Sequence, residues 1–219
     1  MDGLIESLLR VPIFDRAREI WLQGGWAMIA LAVNAFVLFA IGVNLWIELE
    51  ARRFRKVPEK QWREWIDQPK KRRGPIGEQI SFLLGARDLG EMRVRYDELH
   101  SAEVAPYARD LKFMRRAVST APLLGLLGTV TGMLATFQAL ASGAGGDKTM
   151  EMIAGGISEA LITTETGLVI ALPGLFFQYH LARERDRYEA FLAHLHTACT
   201  QYFCISLEAR KRVGRPAKA

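Results

Sequence analysis

The sequence predicts an all-α membrane protein, three transmembrane helices with long cytoplasmic helical extensions, and three observations carry that prediction. Half of the 219 residues are apolar although 24% are charged, so charge is gathered into blocks instead of being spread over a water-facing surface. Residues 24–47, "GGWAMIALAVNAFVLFAIGVNLWI", contain no charge; at about 1.5 Å per residue a helix of that length crosses the roughly 30 Å hydrocarbon core. Residues 117–146 are again uncharged, and 152–182 carry only Glu159 and Glu165.

The elements follow in order. Residues 1–23 read as an extracytoplasmic amphipathic helix, with Leu4, Ile5, Leu8, Leu9 and Ile13 forming an apolar face that either lies on the membrane surface or packs on the extracytoplasmic mouth. Their mixed charge, and the length of the span that follows, argue against a cleaved signal peptide. Residues 24–48 form the first span. Residues 49–116 form a cytoplasmic helical loop, cut into short helices and turns by Pro58, Pro69 and Gly74-Pro75, with helix returning from Leu89 and interrupted at Pro106. Its Lys70–Arg73 run reads as a solvated turn rather than a headgroup contact. The second span takes 117–141, a periplasmic loop 142–151, and the third span 152–182. In the tail, 183–219, Tyr188, Phe191, Leu192, Leu195, Cys199 and Tyr202 recur at steps of three and four, an amphipathic helix continuing the third span.

Lysine and arginine set the orientation. They number 3 in residues 1–23, 17 in 49–116, 1 in 141–153 and 8 in 183–219, so the middle loop and the C-terminus are expected on the cytoplasmic side and the N-terminus on the periplasmic side. The net charge of +5 is thus a feature of topology and does not point to nucleic acid. The segment "GAGGDKT" at 143–149 lacks the spacing of a phosphate-binding loop. His194, His196 and Cys199 of "HLHTAC" do not share one helical face, so no metal site is expected. Cys199 and Cys204 read as core thiols. With no nucleophile–base pair and no cofactor signature, an enzyme is not expected.

The chemistry lies in the spans. At 100° per residue Gly125, Thr129, Gly132 and Thr136, with Gly128 beside them, make a small hydroxylated stripe. It suits close helix packing or a lining for water or ions, and spacing alone leaves both open. Pro122 and Pro173 sit inside spans two and three, where a freed carbonyl must find another partner. In span three Glu159, Thr163 and Thr166 share one face, whereas Glu165 points about 120° away and Thr164 about 140° from Glu159. A carboxylate in hydrocarbon costs roughly 2.5–3.5 kcal/mol, and no lysine or arginine lies in any span; each glutamate therefore implies a protonated carboxyl, a hydrated lumen or a partner subunit.

"APLLGLLGTVTGMLATF" at 121–137 and "GISEALITTETGLVIALPGLFFQY" at 156–179 closely resemble the two-span signature of the MotA/TolQ/ExbB proton-channel family, and the three-span layout resembles its ExbB/TolQ branch. The resemblance implies an oligomeric helical bundle in the bacterial inner membrane: a homopentamer around a dimer of a one-span ExbD/TolR-like partner. In that family the partner's membrane aspartate carries the proton, and work drawn from the proton motive force passes to a TonB/TolA-like protein. By the resemblance Thr129 and Thr164 match the pore threonines and Glu159 the membrane glutamate, making Thr129, Thr164, Glu159, Thr163, Glu165 and Thr166 the expected ion-pathway residues. Glu165 stands where the family commonly has a small residue. A passive membrane scaffold and a sodium-driven stator are the alternatives.

Overall fold

The computed structural model describes residues 21, 24–52, 54, 57–141 and 146–213, with side chains to 207. The N-terminal helix expected over 1–23 lies outside these residues, apart from Trp21, as do residues 142–145 of the expected loop. The elements are α1 (Gly25–Ala51), α2 (Glu59–Asp67), a 3-10 turn (Pro69–Lys71), α3 (Gly74–Leu84), α4 (Leu89–Glu103), α5 (Ala105–Ala141) and α6 (Asp147–Val213), with no strand among the described residues. Among the described residues three helices are long and apolar enough to cross a membrane, and the chain is an all-α, multi-pass membrane protein. Exposed Trp26 and Trp46 mark the two ends of the apolar part of α1, where amphipathic rings favour the membrane–water interface.

The breaks fall where backbone chemistry puts them. Pro58 precedes α2, Pro69 opens the 3-10 turn, and Gly74-Pro75 begins α3. Proline lacks the N–H that a helix interior needs but is tolerated in a first turn. Asp88 caps α4 by accepting from the Glu91 N–H at 2.7 Å, while the Glu91 carboxylate accepts from the Arg87 N–H at 2.8 Å. That second bond, reinforced by Arg95, holds the Glu91 carboxyl below the usual range. The interruption near Pro106 is a break at Val104, which leaves Pro106 in the first turn of α5. Helix α6 begins earlier than the expected span, at Asp147, whose carboxylate suits a helix N-terminus. Pro122 and Pro173 interrupt neither α5 nor α6.

The chain forms two compact units. The first comprises the described residues up to Gly42 with Phe113–Gln178. In it Ala27, Met28, Leu31 and Leu38 of α1 are buried, and the Asn34 amide donates to Thr120 Oγ1 at 2.7 Å.

The second unit comprises Val43–Lys112 with the described residues from Tyr179 on. Trp62, Trp65 and Ile66 of α2, Ile76, Ile80 and Leu83 of α3 and Met92 of α4 close on Leu195, Ala198 and Cys199 of α6. A directional chain of hydrogen bonds lies within it: Gln79 donates to the Tyr188 hydroxyl at 2.9 Å, and that hydroxyl donates to Glu103 at 3.1 Å. Arg52 pairs with Glu103 at 2.6 Å. Burial, and then the Glu103 charge, push the Tyr188 phenol well above its ordinary range. Arg72 of the basic run donates to the Trp65 and Ile66 carbonyls, and Lys71 pairs with Glu64, so this run contains structural groups as well as solvated ones.

Two tail expectations change. Tyr202 is exposed and Cys204 only half-buried. Thr200 bonds to Met92 near the start of α4, and Phe203 packs on the same core. Cys199 is fully buried, which pushes its thiol up to about 12.

Candidate functional site

The site lies in the first unit, on the seam between α5 and α6. Ala121, Gly125, Gly128, Gly132, Thr136 and Ala139 are the buried positions of the α5 stretch facing Gly156, Ala160, Thr163 and Gly167 of α6. The two backbones come close because most of these residues are small. A Cβ at Gly125 would stand 2.9 Å from the Thr163 carbonyl oxygen, one at Gly132 2.7 Å from that of Gly156, and one at Gly167 2.7 Å from that of Ala121. At Gly128 it would collide with the Thr163 side chain.

Each hydroxyl of the stripe has a specific acceptor. Thr163, fully buried, donates to the Glu159 and Ala160 carbonyls at 3.1 and 3.0 Å. Thr136 donates to the Met133 carbonyl at 2.7 Å and Thr166 to that of Ile162 at 2.8 Å. Thr164 alone crosses between helices, donating to the Gly125 carbonyl at 3.1 Å.

Thr129 departs from the expected stripe. Gly128 takes the seam position, while Thr129, about 60° around α5 from Gly132, is half-buried and donates to the Leu126 carbonyl at 2.6 Å. It borders an open groove of about 270 Å³ with Val130, Met133, Leu134 and Phe137. Hydroxyls that satisfy themselves on their own helix keep acceptor lone pairs for water or a cation.

The two glutamates look into different surroundings. The Glu159 carboxyl lies against Gly25, the first residue of α1, where the helix N-terminus favours negative charge. Glu165 is exposed. It stands roughly opposite the seam, because the buried positions 156, 160, 163 and 167 cluster about one side of α6 and residue 165 falls about 160° from residues 163 and 167 on average. Its neighbours on that open face, Leu161, Leu168, Val169 and Leu172, are exposed and apolar. The structure thus brings Thr163 and Thr164 to the seam, turns Glu159 toward α1, and leaves Thr129 and Glu165 on open faces.

Sequence reasoning named Thr163 but missed Gly25, Asn34 and the small residues Gly156, Ala160 and Gly167 of the α6 half of the seam. The α6 half had a signal, since Gly156, Ala160, Thr163 and Gly167 follow the spacing of small residues at helix contacts. In the second unit His194 sits edge-on to Trp62 and His196 stacks on Tyr96 at 4.3 Å. No group of three metal-ligating side chains converges among the described residues.

Comparison with known proteins agrees with the membrane motifs. The family model of the MotA/TolQ/ExbB proton channel family matches residues 83–193. The chain is 37% identical over 103 residues to an ExbB-like biopolymer transport protein of Synechocystis sp., covering 46% of this chain and 41% of that protein. It is 41% identical over 73 residues to the Tol-Pal system protein TolQ of Haemophilus influenzae, covering 33% and 31%, and 41% identical over 73 residues to the biopolymer transport protein exbB1 of Vibrio cholerae, covering 33% and 32%. The chain spans less than half the length of each of these relatives.

Proposed function

From the premise that the chain belongs to the MotA/TolQ/ExbB proton channel family, we propose that it is the multi-span subunit of an ion-driven motor of the ExbB/TolQ type. Five copies surround a dimer of a one-span ExbD/TolR-like partner in the inner membrane, with the N-terminus periplasmic and the C-terminus cytoplasmic. Protons moving down their gradient through the partner's carboxylate drive relative motion, which a TonB/TolA-like protein carries into the periplasm. One charge crossing 100 mV releases roughly 2.3 kcal/mol, so several protons per step supply useful work.

The observation that carries the reading is the exposed Glu165 amid Leu161, Leu168 and Leu172. A carboxylate turned to lipid costs roughly 2.5–3.5 kcal/mol, whereas pore water or a hydrogen-bonding group on a covering protein helix offsets that cost. Thr129 and Thr164 then supply hydroxyls at the margins of the covered surface. They order water but hold no proton at neutral pH, which leaves proton carriage to a carboxyl group. A photo-activatable cross-linker at Leu168 tests the reading in native membranes. Adducts with a second copy or with a one-span partner are expected; adducts with lipid alone would overturn it and favour a scaffold without a covered pore face.

A further inference from the structure

The first unit holds an apolar groove on a different face of α5 from the α5–α6 seam. It measures about 390 Å³ and runs between α1 and α5, with Ala30, Val33, Val37, Ala117 and Leu124 among its walls. The Asn34–Thr120 hydrogen bond fastens the two helices beneath it, and the Thr120 hydroxyl is turned back onto the Ala117 carbonyl at 2.9 Å. One charged side chain borders the groove, Arg116.

Arg116 stands at the end of a hydrocarbon-facing trough. It immediately precedes the uncharged run 117–146 and shares the groove with Val37 of the uncharged run 24–47. No ion pair or hydrogen bond of its side chain is formed among the described residues. A guanidinium beside hydrocarbon requires an anion, and snorkelling toward the headgroups is its means of reaching one. In a ring of copies about an axis along the membrane normal, the open-face Glu165 of a neighbour stands at the wrong depth. Thr164 bonds to Gly125, which places Glu165 about nine residues of α5, roughly 13 Å, from the level of Arg116.

We propose that the α1–α5 groove is a binding site for an anionic phospholipid. One acyl chain lies along Val33, Val37, Ala117 and Leu124, and the phosphate receives the Arg116 guanidinium. An apolar trough with one cationic end matches a molecule with an apolar tail and an anionic head, and guanidinium–phosphate pairing is strong and geometrically selective. The site is independent of the ion pathway proposed above and stands or falls apart from it.

Native mass spectrometry of the intact complex from mixed micelles of phosphatidylglycerol and phosphatidylethanolamine tests the proposal. The wild-type protein is expected to retain phosphatidylglycerol preferentially. Arg116→Gln lowers that retention roughly tenfold, the scale of a lost charge-assisted hydrogen bond, while Arg115→Gln, outside the groove, leaves it unchanged. Equal retention by Arg116→Gln and wild type would overturn the proposal. A photo-cross-linker at Val33 of the otherwise wild-type chain decides the matter even where Arg116→Gln fails to assemble. Lipid adducts support the site, and adducts only to another protein chain show that a second subunit covers the groove and refute it.

Discussion

The Glu159 carboxyl fills the space in which a side chain at Gly25 would begin, and Gly25 holds a φ of +59° that favours glycine. Two independent constraints therefore meet at one position, 134 residues apart in sequence from the acid it accommodates. Neither constraint is visible from α1 alone. The contact gives Glu159 the end of a helix as its surroundings, in place of lipid.

Gly25→Ala is expected to destabilise the protein by more than the roughly 1–2 kcal/mol of a left-handed non-glycine residue, because the new methyl group also displaces Glu159. Glu159→Ala removes that collision while leaving the backbone cost. Thermal denaturation of the two single variants and the double variant in detergent should show the double as less destabilised than the sum of the singles. Additive effects would mean that the two groups do not meet.

The seam makes a second prediction. Gly128→Ala places a methyl group against the Thr163 side chain, whereas a methyl group at Gly155 meets nothing within 4 Å. The first should cost about 1–3 kcal/mol through overpacking, and Gly155→Ala should be neutral or stabilising by up to about 1 kcal/mol, as alanine is in a helix. Fluorescence-detected size exclusion after heating reads the difference. Equal melting of the two variants would contradict the seam.

A third prediction concerns pH and the second unit. Burial against Tyr96 lowers the His196 pKa from 6.5, with Asp97 opposing and Arg93 assisting. The unfolded chain then takes up the proton first, so this contribution to stability is present above about pH 6.5 and is lost as the pH falls through 6.5 toward the lower folded value. His196→Phe keeps a ring on Tyr96 and removes the titration. Melting temperatures between pH 8 and pH 5 should decline less for His196→Phe than for wild type; parallel declines would assign the pH dependence to other groups.

Much of this architecture is written locally in the chain. The uncharged run 24–47 dictates α1, and Pro58, Pro69 and Gly74-Pro75 cut the loop where the structure cuts it, because proline and glycine act on their own backbone. The pairing of faces is a property of two segments at once, and periodicity within one helix does not report it. Gly128 and Thr129 are adjacent and differ by about 100° around α5; only the position of Thr163 on α6 determines which of them enters the seam. Glu159 and Thr164 separate for the same reason, since α1 lies beside one and α5 beside the other. Tyr202 follows the apolar period of α6 faithfully and is still 37% exposed, although Phe203 next to it packs on the core.

Proton flux into proteoliposomes, followed with a pH-sensitive dye, tests the central claim most directly. Beyond Thr164 and Glu165, α6 continues through Thr166 into "GLVIALPGLFF", an apolar run without an acid, amide or hydroxyl, and a relay needs titratable or hydrated stations within hydrogen-bond reach. The purified subunit alone is therefore expected to conduct little. Flux should appear when a one-span partner bearing a membrane aspartate is co-reconstituted, and should fall in Thr129→Val and Thr164→Val while the oligomer remains formed. Robust proton entry through the subunit without any partner would contradict the account and make Glu159 or Glu165 the carrier.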